Sequence, residues 1–183
     1  AIDCETTSLN AVEAEIVGFS MALERSEACY IPLNHANCEK QIDLQYFIQQ
    51  IKILLEDESV LKIGQNIKYD FIVLKRLGIE MNNMDDTMLM SYILSTGQRG
   101  HGLDELSSNY LSHDTIKYSD VTTVNKKKVL FSEIAVEKAK NYAAEDADIT
   151  FRLYKKFIKN LKFEKMINIY EIFEKPLIKI LAF

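Results

Sequence analysis

Proline and glycine are scarce in this 183-residue chain, at two and six residues, which argues against a disordered or linker-rich protein. Cysteine is scarce too. Cys4, Cys29 and Cys38 form no Cys-x-x-Cys pair and leave an odd count, which favours free thiols in a reducing, cytoplasmic setting over a disulfide framework or a zinc site. No apolar run approaches ~18 residues and no positively charged leader precedes one, so neither a membrane span nor secretion is expected. His35, His101 and His113 lie far apart, and none neighbours a serine–acid or cysteine arrangement, which speaks against a histidine metal site or a nucleophilic triad. There is no phosphate-binding glycine loop, which speaks against nucleoside triphosphate hydrolysis. Internal repeats and low-complexity tracts are absent as well.

What remains is an ordinary globular composition, 48% hydrophobic and 27% charged, with enough chain for one sizeable core. Ala1-Ile2-Asp3 reads as the second half of a strand with no initiator methionine, so a fragment of a longer polypeptide, cut at both ends, is expected. The net charge is −5 and unevenly spread: residues 1–100 carry 8 Lys/Arg against 15 Asp/Glu, and residues 101–183 carry 14 against 12. Overall acidity excludes a broad electrostatic footprint on duplex DNA but leaves room for gripping a few nucleotides at a strand end.

Alternation around Val17, Phe19 and Met21 predicts a strand over Glu15–Leu23, and Cys29 and Ile31 predict another over Glu27–Leu33. With the first strand these make an antiparallel meander. Helical spacing of Leu44, Phe47, Ile48, Ile51, Leu54 and Leu55 predicts a helix over Asp43–Leu55. Ser59–Gly64 reads as a buried strand, parallel to the first through that crossover. Asn66 is then expected to cap a helix closed by Gly78. Amphipathic segments follow over Asp86–Leu94 and Leu103–Leu111, residues 112–132 are irregular, and a long helix runs from Ser132 to about Leu161. A last helix, Glu164–Phe173, meets Pro176, which kinks or restarts it.

Five residues carry most of the chemistry. Asp3 and Glu5, two apart, share one face of an extended strand, and Tyr142 and Asp146, four apart, share one face of a helix. Asp70 lies one helical turn after Asn66. Each has a plain structural reading when taken singly: a solvated strand end for Asp3 and Glu5, a first-turn acid for Asp70, and an amphipathic helix with three solvated acids for Tyr142–Asp148. Taken together, three distant segments offer hard oxygen donors, the ligand type that suits Mg²⁺ or Mn²⁺.

In this order and at these intervals, the segments resemble the three motifs of the DEDD 3′–5′ exonuclease superfamily, tyrosine subclass. The resemblance extends to the proofreading domain of bacterial DNA polymerase I. It is carried by Asp3-Cys4-Glu5-Thr6, Gly64-Gln65-Asn66-Ile67-Lys68-Tyr69-Asp70, Asp86-Thr87-Met88 with Ser91-Tyr92-Ile93-Leu94, Leu103-Asp104-Glu105-Leu106, Tyr142-Ala143-Ala144-Glu145-Asp146-Ala147-Asp148 and Phe173-Glu174-Lys175-Pro176-Leu177. It implies an α/β, ribonuclease H-like (DnaQ-like exonuclease) mixed sheet with an antiparallel meander flanked by helices. It further implies an exonuclease domain over residues 1–174, with residues 175–183 beginning the connection to an absent polymerase domain.

The resemblance implies roles for single residues as well. Asp3, Glu5, Asp70 and Asp146 would hold two divalent ions, and Tyr142 would orient the attacking water. Leu9 is similar to a wedge between the last two bases and Tyr118 to an aromatic stacking platform, with an anchoring tyrosine as the plain alternative for Tyr118. Thr6, Gln65, Asn66 and Tyr69 are expected at the terminal phosphate or sugar, although Asn66 is equally readable as a helix cap alone. The implied partners are a single-stranded DNA 3′ end and a covalently linked polymerase domain, in a monomeric, cytoplasmic, nucleoid-associated protein. One departure concerns the basic residue that the family places just before the loop histidine: here Gly100 precedes His101 and Arg99 is one further back. Lys126, Lys127 and Lys128 read as a solvated loop rather than a DNA grip. An exoribonuclease similar to ribonuclease D, and a domain that binds DNA or braces a polymerase without cleaving, are the competing functions.

Overall fold

The first strand has two unlike faces, and the fold is built around both. The computed structural model describes residues 1–95, 97, 100–124 and 126–182. Strand β1 (Ile2–Thr6) pairs antiparallel with β2 (Ile16–Glu24), which pairs antiparallel with β3 (Glu27–Pro32), the meander expected from the alternation. Ile2 and Cys4 bury among Phe19, Phe47, Leu55, Ile67 and Phe71 in the main core. Asp3 and Glu5, at the alternate positions, stand opposite Ser20 and Gly18. The register slips between Glu5 and Thr6, a bulge immediately after the second acid.

Helix α1 (Leu44–Glu56) is capped by Asp43, whose side chain accepts the Tyr46 N–H at 2.9 Å, and buries Phe47, Ile51 and Leu55. It leads to β4 (Lys62–Gly64) and helix α2 (Ile67–Arg76). The parallel partner of β4 is not β1, as expected, but β5 (Met84–Asp86). Strand β5 is three residues long, too short for alternation to register, and its two acids read more readily as a helix start. Strand β4 lies against β1 without joining its ladder.

Asp86 organises this region. Its carboxylate accepts N–H bonds from Asn66 (3.0 Å) and Ile67 (3.0 Å) at the start of α2, and from Met88 (2.8 Å) at the start of helix α3 (Thr87–Leu94). Asn66 therefore does not cap α2 through its side chain. It sits in the left-handed region (φ 59°), whereas a capping side chain needs an extended backbone, and Asp86 does the work from outside. Asp86 N in turn donates to Tyr170 Oη at 2.8 Å, and Tyr170 Oη donates to Asp85 at 3.1 Å.

The segment Leu103–Leu111 is one α turn, α4 (Leu103–Leu106), widened into a π turn over Ser107–Leu111. The stretch that looked irregular holds a short helix, α5 (Tyr118–Thr122), and a two-residue hairpin, Thr123–Val124 with Lys127–Lys128. The long helix α6 spans Val136–Phe163, preceded by a separate 3₁₀ turn over Phe131–Glu133, so it begins four residues later than expected. The last helical stretch runs as Ile167–Ile169, a π turn over Tyr170–Glu174 and a renewed α-helix over Lys175–Ile180, with Pro176 in the first turn of that last piece, where a missing N–H costs little. Its Tyr170 packs beside Leu153 and Phe157 of α6, and its Ile178 reaches the main core.

Asp86→Ala strands four N–H groups at the starts of two helices, those of Asn66, Ile67, Met88 and Leu89, in a buried site. Urea unfolding is expected to show a loss of about 2–3 kcal/mol.

Candidate active site

Three elements meet at one cleft. Strand β1 contributes Asp3 and Glu5 from one face, α6 contributes Asp146 and, one turn earlier, Tyr142, and α2 contributes Asp70 from its first turn. Carboxylate oxygens of Asp3, Glu5 and Asp146 all lie within 4.8 Å of one another. Asp70 stands outside this trio, its Oδ1 accepting the Cys4 N–H at 2.9 Å. The cleft holds about 650 Å³, and its walls include every residue expected to hold metal, water or the DNA end: Asp3, Glu5, Thr6, Leu9, Gln65, Asn66, Tyr69, Asp70, Tyr118, Tyr142 and Asp146. Cys4, Thr7, Ser8 and Leu103 also line it. Thr7 and Ser8 follow directly from the first motif, whereas Leu103 carries no chemical signal that a sequence reading could use.

Several of these side chains are engaged with one another. Tyr69 Oη bonds both Thr6 Oγ1 and the Ser8 carbonyl, tying the chain after β1 to α2. Gln65 donates to the His101 carbonyl at 2.8 Å and accepts from Thr87 Oγ1 at 2.6 Å. Leu9 is 99% exposed, an apolar side chain projecting free at the rim. Tyr118 is 52% exposed, packs one ring face near-parallel to Phe131 (11°, 6.2 Å) and meets Tyr142 edge-on. The two readings of Tyr118 are therefore compatible, with one face anchored and the ring still part of the cleft wall. Lys126, Lys127 and Lys128 are exposed in the hairpin and do not line the cleft. Arg99 lies outside the described residues.

Behind Glu5 is a contact the sequence reading missed. A Cβ on Gly18, its cross-strand partner, would fall 2.0 Å from Tyr30 Oη, so Tyr30 occupies the space that any larger residue would take. Tyr30 Oη bonds His35 Nε2 at 2.7 Å. The available signal was a glycine in mid-strand, which often marks close approach.

Burial dominates the electrostatics. It pushes the Asp3 carboxyl up to about 6. Burial first, and then the charge of Asp3, hold Glu5, Asp70 and Asp146 well above the usual carboxylate range. Tyr142 is pushed up by burial and then by the Asp146 and Glu5 charges, so its hydroxyl remains a neutral donor.

The model of a family described as 3′–5′ exonuclease matches residues 1–162. The chain is similar to DNA polymerase I of Rhizobium leguminosarum, 43% identical over 201 residues covering the whole chain and 20% of that protein. It is similar also to DNA polymerase I of Pseudomonas aeruginosa, 39% identical over 188 residues covering the whole chain and 21% of that protein. The chain thus spans about a fifth of the length of these relatives. Among solved structures, Brucella melitensis NrnC with bound Mg²⁺ matches with a TM-score of 0.70 at 24% identity, over 99% of this chain and 80% of that one. That likeness is one of fold, and the fold is the mixed α/β, ribonuclease H-like one expected.

The donor set fits a divalent cation. The four carboxylates are hard oxygen donors, and among the described residues no lysine, arginine or histidine forms an ion pair with any of them. A buried cluster of one sign calls for an external positive charge. Raised carboxyl pKa values mean that the native state holds protons more tightly than the unfolded chain. The resulting stability is present below the unfolded value near ~4 and lost as pH rises through the folded values, about 6 for Asp3. Melting scans are therefore expected to show Mg²⁺ raising the melting temperature more at about pH 8 than at about pH 5. An equal shift at both would contradict the electrostatic account.

Proposed function

The chain belongs to the 3′–5′ exonuclease family, and we propose that its cleft releases nucleoside monophosphates from single-stranded or frayed DNA 3′ ends as the proofreading module of a DNA polymerase I. The observation that carries this reading is the approach of Asp3, Glu5 and Asp146 to within 4.8 Å in a cleft that also contains Tyr142 and Tyr118.

Asp3, Glu5 and Asp146 would hold one Mg²⁺ or Mn²⁺, and Asp70 together with Asp3 a second. Bound divalent ions supply a nucleophile near neutral pH and offset charge on the phosphoryl and leaving 3′ oxygens. Tyr142, held neutral by burial beside Asp146, orients the attacking water as a hydrogen-bond donor. Leu9 parts the last two bases, since an apolar side chain so exposed has nothing of its own chain to pack on. The free side of Tyr118 stacks with a base, which is sequence-tolerant because every base offers a π face. Gln65, Asn66, Thr6 and Tyr69 position the sugar–phosphate backbone, contacts that carry no sequence information. A frayed single strand can thread such a site where a duplex cannot.

In the whole protein, residues 1–174 form this exonuclease unit and 175–183 begin the connection to a polymerase domain, acting as a monomer near the nucleoid. Among the described residues no helix is long and apolar enough to cross a membrane.

Digestion of 5′-labelled single-stranded DNA with Mg²⁺ or Mn²⁺ should give a ladder shortening from the 3′ end, abolished by EDTA and by Asp3→Ala. Intact DNA at every metal concentration, with the flanking chain of the relatives restored, would refute the reading. RNA of the same sequence should be cut more slowly, because only RNA brings a 2′-OH into the site. Tyr142→Phe is expected to slow single-turnover cleavage by about 10²-fold while Mn²⁺ affinity is retained. Lost Mn²⁺ affinity would place Tyr142 among the ligands instead.

A further inference from the structure

Glu145 and Asp146 are neighbours on α6 with separate tasks. Successive helical residues project ~100° apart, and of the two carboxylates Asp146 lines the cleft while Glu145 does not. Glu145 turns to the segment preceding Tyr118. Its Oε2 accepts the Ile116 N–H at 2.6 Å, and its Oε1 accepts from His113 Nε2 at 2.9 Å. The Glu145 side chain is 19% exposed, so these charge-assisted bonds are shielded from water.

Residues 113–117 have no regular secondary structure, and no ladder or helix of their own sets how the chain approaches Tyr118. Asp104 adds bonds to Thr115 Oγ1 (2.6 Å) and Lys117 Nζ (3.0 Å). The Asp104–Lys117 ion pair is about half exposed on both sides and contributes little. Glu145 is thus the better-shielded tether of this segment to the helix that carries Asp146 and Tyr142. Two residues past Ile116 comes Tyr118, stacked on Phe131 and edge-on to Tyr142 at the cleft wall.

We propose that Glu145 is a positioning residue for the nucleic-acid strand: by clamping residues 113–116 to α6 it holds the Tyr118 ring where a base can stack. It serves strand binding rather than hydrolysis. This rests on the exonuclease reading and on Tyr118 as the stacking surface.

The test compares Glu145→Ala, Glu145→Gln and Tyr118→Ala, singly and with the two alanine changes combined. Four quantities are read: KM and kcat on single-stranded DNA, oligonucleotide binding by fluorescence anisotropy in Ca²⁺, Mn²⁺ affinity, and amide exchange of residues 113–116. Glu145→Ala should speed that exchange and raise KM and Kd roughly tenfold, the scale of a lost base–aromatic stack. Its kcat should stay within about twofold and its Mn²⁺ affinity should not change. Glu145→Gln keeps an acceptor for Ile116 and should restore parent behaviour. The double alanine variant should bind no worse than Tyr118→Ala alone, because both changes remove one effect.

Weaker Mn²⁺ binding with a fall in kcat, additive losses in the double variant, or unaltered exchange would each overturn the proposal. Should Glu145→Ala fail to fold, His113→Ala removes one of the two bonds and must show the same pattern at smaller size. Parent protein that cuts DNA while Tyr118→Ala binds it normally would sink this proposal alone. Parent protein that neither cuts nor binds would sink the exonuclease reading as well.

Discussion

Four carboxylates share one cleft, largely withdrawn from water, with no cationic side chain among the described residues to offset them. Each is held toward its protonated form by burial, and for Glu5, Asp70 and Asp146 by Asp3 as well. Such an arrangement is unfavourable by itself and persists only where surrounding packing over-determines it. Strand β1 meets that demand by alternation. The residues between and beside the acids, Ile2 and Cys4, are buried in the main core among Phe19, Ile67 and Phe71, so the strand cannot shift to relieve its charges. The bulge after Glu5 and the fit of Tyr30 over Gly18 fix the same strand from its edge and from behind.

Asp86 shows the opposite solution for a buried acid. Burial pushes its carboxyl up to about 6, against backbone N–H donors from Asn66, Met88, Leu89 and Ile67 that favour the charged form. Those donors belong to the starts of α2 and α3, so the carboxylate sits at two positive helix ends at once. Through Tyr170 the same hub is bonded to the last helix, and through α2 it sets where Asp70 and Tyr69 stand. The cleft acids have no cationic partner among the described residues and fit a metal. Asp86 has partners in excess and acts as structure.

The acids on α6 divide in a similar way. Asp146 faces the cleft, Glu145 holds the segment before Tyr118, and Asp148 accepts the Ser26 N–H at 2.5 Å in the turn between β2 and β3. Three acids that read along the helix as solvated are each engaged, on three sides of one helix. Periodicity reports which side a residue faces but not what stands there.

Much of this protein was legible as sequence because it is local. The meander, the crossover helix, the paired faces of Asp3 with Glu5 and of Tyr142 with Asp146, and the family motifs all depend on spacing within a segment, which strand and helix geometry convert directly into direction. The errors fell where a partner from elsewhere in the chain decides: β5 rather than β1 beside β4, and Asp86 rather than Asn66 at the head of α2. Only the tertiary structure could bring Asp3, Glu5 and Asp146 within 4.8 Å, leave Asp70 on Cys4, and give Glu145 to Ile116. The physical reason is that a side chain's direction is a property of its own segment, whereas its partner is set by how separate segments pack across the core.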